Sequence, residues 1–215
     1  MLNRIGKDIQ KVLPETFKNQ RNWDLSTEVD PDHIELFKQV VHFSPSYENN
    51  TYYNTHFVTN RKLIEELYDL SDGPGAARHQ EEMDARQPNV LANLAIVFES
   101  NEHEQLTGYN DLLYCSLCER SHAVVRDKHL AIGTAVGALI SIAHILGYKT
   151  GHYVCQNAEN MWTIQHKMKL GGHPNYILGI GYGNHKVAHN RHHNDKNIKY
   201  GDWKRNPLPI IKEWE

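Results

Sequence analysis

The stretch that most limits what this chain can become is His129 to Gly147, HLAIGTAVGALISIAHILG, which holds no Asp, Glu, Lys or Arg. Gly133, Gly137 and Ser141 recur four residues apart and so share one helical face. Leu130, Ile132, Val136, Leu139, Ile140, Ala143 and Leu146 spread apolar surface around most of the circumference. A helix apolar nearly all round is buried on nearly all sides. The stretch is long enough to span a bilayer, yet Thr134, Ser141 and His144 interrupt it and no aromatic belt flanks it. The mean hydropathy of the whole chain is -0.64. It therefore reads as the central helix of a soluble protein, and its small residues predict close crossing by a second helix or a second subunit.

A chain of 215 residues buries a good core as one domain, or as two small ones, and one domain is the simplest reading. A net charge of -3 leaves no electrostatic footprint for nucleic acid or an acidic membrane. The opening MLNRIGKDIQKVL is an amphipathic helix without the uninterrupted apolar core of a secretory signal. Three cysteines do not make a disulfide framework, so the expected compartment is the reducing cytoplasm.

In order, residues 2–13 predict a helix ended by Pro14, and Phe17 to Ser26 is polar and basic around Trp23, with no clear period. Asp30 caps a helix whose first position is Pro31 and whose apolar face is Ile34, Phe37, Val40 and Val41. Ser44-Pro45 stops it. Strands are expected at 52–59, 93–99, 152–155 and 176–182, and helices at 61–70, 110–119 and 158–170. Few strands among long helices predict an α+β fold, a small mixed or antiparallel sheet between helical layers.

Four groups of residues carry possible chemistry. Cys115, Cys118 and His122 form one C-x-x-C with a histidine, short of four zinc ligands unless Cys155 joins them. They read as buried small residues, with zinc or a redox dithiol as the alternative. His185, His189, His192, His193 and Asp195 make a histidine-rich tail without a helical metal-ligand spacing, so no metal is expected. Gly179, Gly181 and Gly183 follow a strand, but Asn184 and the lack of a following apolar helix argue against a dinucleotide fingerprint. The glycines read instead as relief from crowding. Last, Lys18, Asn19, Gln20 and Arg21 on one loop, Ser44, Pro45, Ser46 and Asn49 on another, and Lys204 with Arg205 near the C-terminus could together hold a phosphate and a polar ring system.

In order and spacing these pieces resemble the nitroreductase-like flavoproteins. That family has a basic R-S-x-R-x-F run, a capped helix, an S-P-S loop with an asparagine, Q-P-W and a strand, a long central helix, and a late strand ending in G-Y-P. Lys18 to Trp23, Asp30-Pro31, Ser44-Pro45-Ser46 with Asn49, His56-Phe57-Val58, Ile132 to Gly147 and Leu178 to Tyr182 stand in those places. Phe17 replaces the basic residue that usually precedes the run, Tyr52-Tyr53-Asn54 replaces Q-P-W, and Asn184 the proline.

The resemblance implies one nitroreductase-like domain over 1–215, with an extension from about 185 reaching toward the flavin or the partner subunit. It implies a homodimer with the central helix in its interface and FMN between the subunits. Lys18, Asn19 and Arg21 would lie near the phosphate and ribityl chain, closed over by Lys204 and Arg205. Pro45, Ser46 and Asn49 would lie along the ribityl and ring edge, with backbone groups near Cys155 and Gln156 approaching the ring. Tyr109 and Tyr114 would belong to a substrate-selecting lid. The implied reaction passes a hydride from NAD(P)H through FMN to a small organic acceptor, and no side chain is expected to be catalytic. The alternatives are a specialised flavin enzyme that dehalogenates, dehydrogenates or cleaves its substrate, and a scaffold that has lost FMN and serves as a binding or zinc-stabilised protein.

Overall fold

The computed structural model of the chain describes residues 4–16, 19–71, 86–101, 117–154 and 158–183. These residues form helices α1 (Arg4–Val12), α2 (Pro31–His42), α3 (Arg61–Asp69), α4 (Leu117–Ile145) and α5 (Ala158–Met168). The strands are β1 (Trp23–Asp24), β2 (Tyr53–Val58), β3 (Leu94–Ser100), β4 (Lys149–Val154) and β5 (Pro174–Gly183).

β3 is buried along its whole length, as its near-continuous apolar run LAIVF requires of a strand covered on both faces. β5 pairs with β3 on one side and β4 on the other, β2 pairs with the far side of β3, and β1 extends the end of β5. All pairings are antiparallel. Alternation then sends Leu94, Ile96, Phe98, Leu178 and Ile180 to one face, against Phe37 of α2 and Leu139 of α4. Ala95, Val97, Tyr153 and Ile177 go to the other, against Ile64 and Leu67 of α3 and Ile164 of α5. The expected α+β fold, a sheet between helical layers, is what forms.

Local chemistry fixes the helix ends. Asp30 accepts from the Asp32 N–H at 2.9 Å and Asn60 from the Leu63 N–H at 3.1 Å. The buried Tyr148 ties α2 to the end of α4. Its hydroxyl lies 2.8 Å from His33 Nδ1 and 3.3 Å from the Asp30 N–H. Burial, with the hydroxyl of Tyr182 beside it, pushes the Tyr148 phenol up to about 12.

Three expectations need correction. The central helix begins at Leu117, so the separate helix expected over 110–119 does not end at 119; residues 102–116 lie outside the described ones. Glu119, Arg120, Arg126 and Lys128 are good helix formers that carry no hydropathic signal. Nor is α4 buried all round. Ala135, Leu139 and Ala143 pack on the sheet, but Leu130 is 61% and Ile145 47% exposed, and Gly133, Thr134, Gly137 and Ser141 lie open between them. A methyl group at Gly133 or Gly137 would meet nothing within 4 Å. The reason is geometric: the sheet, α2 and α1 pack against α4, and no described element covers the face of Gly133 and Gly137. The third correction is β1, too short to show a period around Trp23.

By length and composition, Arg126–Ile145 could cross a membrane, the one such helix among the described residues. Its buried face here packs against the sheet.

The glycines do relieve crowding. Gly151 and Gly179 are register partners on β4 and β5. A Cβ on Gly151 would stand 2.7 Å from the Asn89 carbonyl and 2.8 Å from the Trp23 ring, and one on Gly179 would strike the same Asn89 carbonyl. At Gly181 a Cβ would collide with the Asn93 side chain. Gly179→Ala is expected to destabilise the fold by about 1–3 kcal/mol through overpacking. Urea denaturation of the wild type and the variant checks it.

Candidate functional site

The loop after α1 is laid along the free edge of β4. The Gln20 N–H donates to the Thr150 carbonyl at 2.8 Å, and the His152 N–H donates to Asn19 Oδ1 at 2.7 Å. Trp23, fully buried, anchors the loop by donating from Nε1 to the Pro88 carbonyl at 2.8 Å. With its side-chain oxygen committed, Asn19 has an NH2 group to offer a ligand. Arg21 is half-buried beside it, its Nη1 3.4 Å from the Asn19 carbonyl. One cation and one amide donor are thus held on this edge by backbone pairing.

Behind that edge, His152 Nδ1 lies 2.6 Å from the Tyr176 hydroxyl. Burial, and then the neighbouring His144, push the His152 imidazole down to about 4. Burial also raises Tyr176 well above the usual phenol range. The tyrosine is therefore the donor and the neutral histidine the acceptor.

At the opposite edge, α2, the loop 44–52 and β2 enclose a groove of about 1140 Å³. Ser44, Ser46, Asn49, Asn54, Thr55 and His56 contribute polar atoms to it, and Lys38 is ion-paired with Glu35 at 2.5 Å on the α2 wall. The loop is held in shape by the Ser46 hydroxyl, which donates to the Asn50 carbonyl at 2.8 Å. Glu48 and Asn49 are both left-handed, with φ of 54° and 55°; asparagine tolerates this readily and glutamate does not.

The structure therefore groups Asn19 with Arg21, and Ser44 and Ser46 with Asn49, but it does not bring the two groups together. They lie at opposite edges of the sheet, beyond outer strands β4 and β2, with β5 and β3 between them. Pro45 lies in the groove loop. Lys18, Tyr109, Tyr114, Cys115, Cys155, Gln156, Lys204, Arg205 and the histidine tail from His185 lie outside the described residues, as do the side chains of Cys118 and His122. Among the described residues no cluster of metal-binding side chains occurs.

Sequence reasoning missed two pairs: His152–Tyr176, and His56 with Glu99, whose Nε2 and Oε2 stand 2.6 Å apart. One signal was available. Glu99 is a lone carboxylate closing an otherwise apolar strand, and such a group needs a partner.

No protein-family model and no curated protein matches the chain in sequence. Solved structures do. A nitroreductase family protein from Clostridium novyi NT superposes with a TM-score of 0.58 at 15% identity, covering 82% of this chain and 86% of that one. An FMN-dependent nitroreductase from Clostridium difficile gives 0.55 at 16% identity, covering 90% and 98%. An NADPH:FMN oxidoreductase from Vibrio harveyi, complexed with NAD+, gives 0.58 at 11% identity, covering 82% and 69%. The architecture is an α+β sheet flanked by helices, with polar groups gathered at both outer strands. It is the nitroreductase fold, as the sequence resemblance implied.

His152 gives a prediction for stability. Its folded pKa lies below the unfolded value of 6.5, so the unfolded chain takes up a proton first as the pH falls. The stability tied to neutral His152 is complete above pH 6.5 and is lost between there and about 4, a change of roughly 3 kcal/mol. His152→Gln should flatten that part of the curve, read from denaturant unfolding at pH 7 and 4.5.

Proposed function

We propose that the protein is a homodimeric FMN-dependent oxidoreductase of nitroreductase type, passing a hydride from NAD(P)H to a small organic acceptor. The observation that carries this reading is the pair of polar half-sites at opposite edges of a nitroreductase fold. Each is preorganised and neither is enough alone. Arg21 and Asn19 supply a cation and an amide donor, the chemistry a phosphate and ribityl chain need. The groove carrying Ser46 and Asn49 has room for polar ring edges. The two would meet across a twofold axis between protomers.

The open face of α4 supports such an axis. The Thr134 and Ser141 hydroxyls donate back to the Leu130 and Gly137 carbonyls at 2.8 and 2.9 Å. The face therefore presents small and apolar groups, with its polar ones already satisfied. A helix from a second copy could approach closely at Gly133 and Gly137.

FMN, when bound, supplies the hydride relay. The protein's part is to hold, orient and shield. Lys18, Lys204 and Arg205 would add charge at the phosphate end, Pro45 would border the ring, and the backbone at Cys155 and Gln156 would approach it. Tyr109 and Tyr114 would select the acceptor. The reading places the protein in the cytoplasm as one domain.

The test is colour and retention. Purified protein should be yellow and release FMN on denaturation; a colourless protein that takes up no FMN contradicts the reading. Arg21→Ala is expected to weaken FMN binding about 10- to 100-fold, the loss of one charge-assisted hydrogen bond, with the dimer mass unchanged. Equal affinity in the variant removes Arg21 from the site.

A further inference from the structure

β4 and β5 carry a tyrosine–histidine pair that the proposed hydride relay does not use. The Tyr176 hydroxyl lies 2.6 Å from His152 Nδ1. Burial, and then His144, hold His152 down at about 4, so its ring is unprotonated at neutral pH. Tyr176, raised by burial, keeps its hydrogen. Among the described residues the hydroxyl has no second hydrogen-bond partner, so that hydrogen is directed at Nδ1.

The pair ends a line of rings across one face of the sheet. Phe98 is the register partner of Thr55 on β2 and of Tyr176 on β5, and Tyr176 is that of Val154 on β4. Tyr53 and His152 stand two residues from Thr55 and Val154, so the pleat puts all four rings on the side of α2 and α4. Ring centroids are 5.5 Å apart for Tyr53 and Phe98, 6.1 Å for Phe98 and Tyr176, and 6.2 Å for Tyr176 and His152. Phe98 is fully buried, and Tyr53 and Tyr176 are half-buried.

Packing accounts for rings at these distances, and a hydrogen bond accounts for two buried polar atoms. Neither needs the acceptor to be a base. A backbone carbonyl would satisfy the phenol equally, whereas an imidazole can take the proton and hold it. That difference acts when the phenol loses an electron. A radical cation on a half-buried ring is a poorly solvated charge, and it is a far stronger acid than an imidazolium. The proton therefore crosses to Nδ1 even though burial has weakened His152 as a base. The same burial keeps the acceptor empty beforehand.

We infer that Tyr176 and His152 form a proton-coupled one-electron site, a sink for oxygen-centred free radicals of small molecules, fed from the β2 edge through Tyr53 and Phe98. In the step, Tyr176 gives one electron to the radical, which becomes its anion. The phenolic O–H bond breaks and the proton bonds to Nδ1. A neutral tyrosyl radical is left beside an imidazolium. A one-electron reductant such as ascorbate restores the electron, and the proton returns to the oxygen. Tyr53 can pass its own electron vacancy along the rings, and Tyr176 retains it because its proton has a base to go to.

The oxidant withdraws electrons from the polypeptide, and oxidised FMN has none to give, so yellow and colourless preparations are expected to behave alike. A failure here leaves the flavin reading standing, and a colourless protein leaves this test intact. The full-length protein, exchanged into heavy water, is mixed with hexachloroiridate(IV), frozen and examined by electron paramagnetic resonance. A neutral tyrosyl radical is expected, coupled to the exchangeable deuteron now held on His152. Tyr176→Phe, which keeps the ring and its packing, is expected to lose that coupled spectrum. His152→Gln, which can accept a hydrogen bond but not a proton, is expected to lose it too. The wild-type coupling is read without any variant. Absence of a tyrosyl radical, a radical without the deuteron coupling, the same spectrum in Tyr176→Phe, or its loss in Tyr53→Phe each overturns the inference.

Discussion

The arrangement depends on a contact that only the absence of side chains permits. Gly151 and Gly179 face each other across β4 and β5, and the Asn89 carbonyl and the Trp23 ring occupy the space their Cβ atoms would take. Trp23 then hydrogen-bonds the Pro88 carbonyl, and Asn89 Nδ2 donates to the His152 carbonyl at 2.7 Å. With Trp23 fixed, the residues just before it fall against the edge of β4, where Asn19 and Gln20 pair with its backbone. Small residues in two strands thus place a cationic loop that lies more than a hundred positions away in sequence.

Sheet order does the rest. β4 and β2 are the outer strands, so the loop bearing Arg21 and the groove bearing Asn49 are held apart by the rigid body of the sheet. No hinge within one protomer closes that distance without breaking the ladder. In the proposed dimer a second copy closes it, and the uncovered face of α4 is the surface that proposal uses. The fold that isolates the two polar groups is the reason the proposed function needs two chains.

Much of this was legible in the sequence because it rests on local rules. Asp30-Pro31 opens a helix wherever it precedes an apolar period, and Tyr53 to Val58 and Leu94 to Ser100 carry strand composition. The start of α4 was not legible, since its charged first turns offer no hydropathic contrast. Its one-sided burial was also hidden. Composition reports how apolar a helix is, whereas its neighbours decide which face is covered. The pairs His56–Glu99 and His152–Tyr176 join residues 43 and 24 positions apart. They depend on strand order and on a bulge, which no local pattern encodes. The glycine run after Leu178 showed its role once Asn89, Asn93 and Trp23 were seen packed against it.

The central claim is that the flavin site is complete only when two protomers meet. Sedimentation velocity over a dilution series, followed at a wavelength only the flavin absorbs, tests it directly. The account predicts that all bound FMN travels with the dimer and that dilution to monomer releases it. FMN sedimenting with a monomer at undiminished affinity would contradict it.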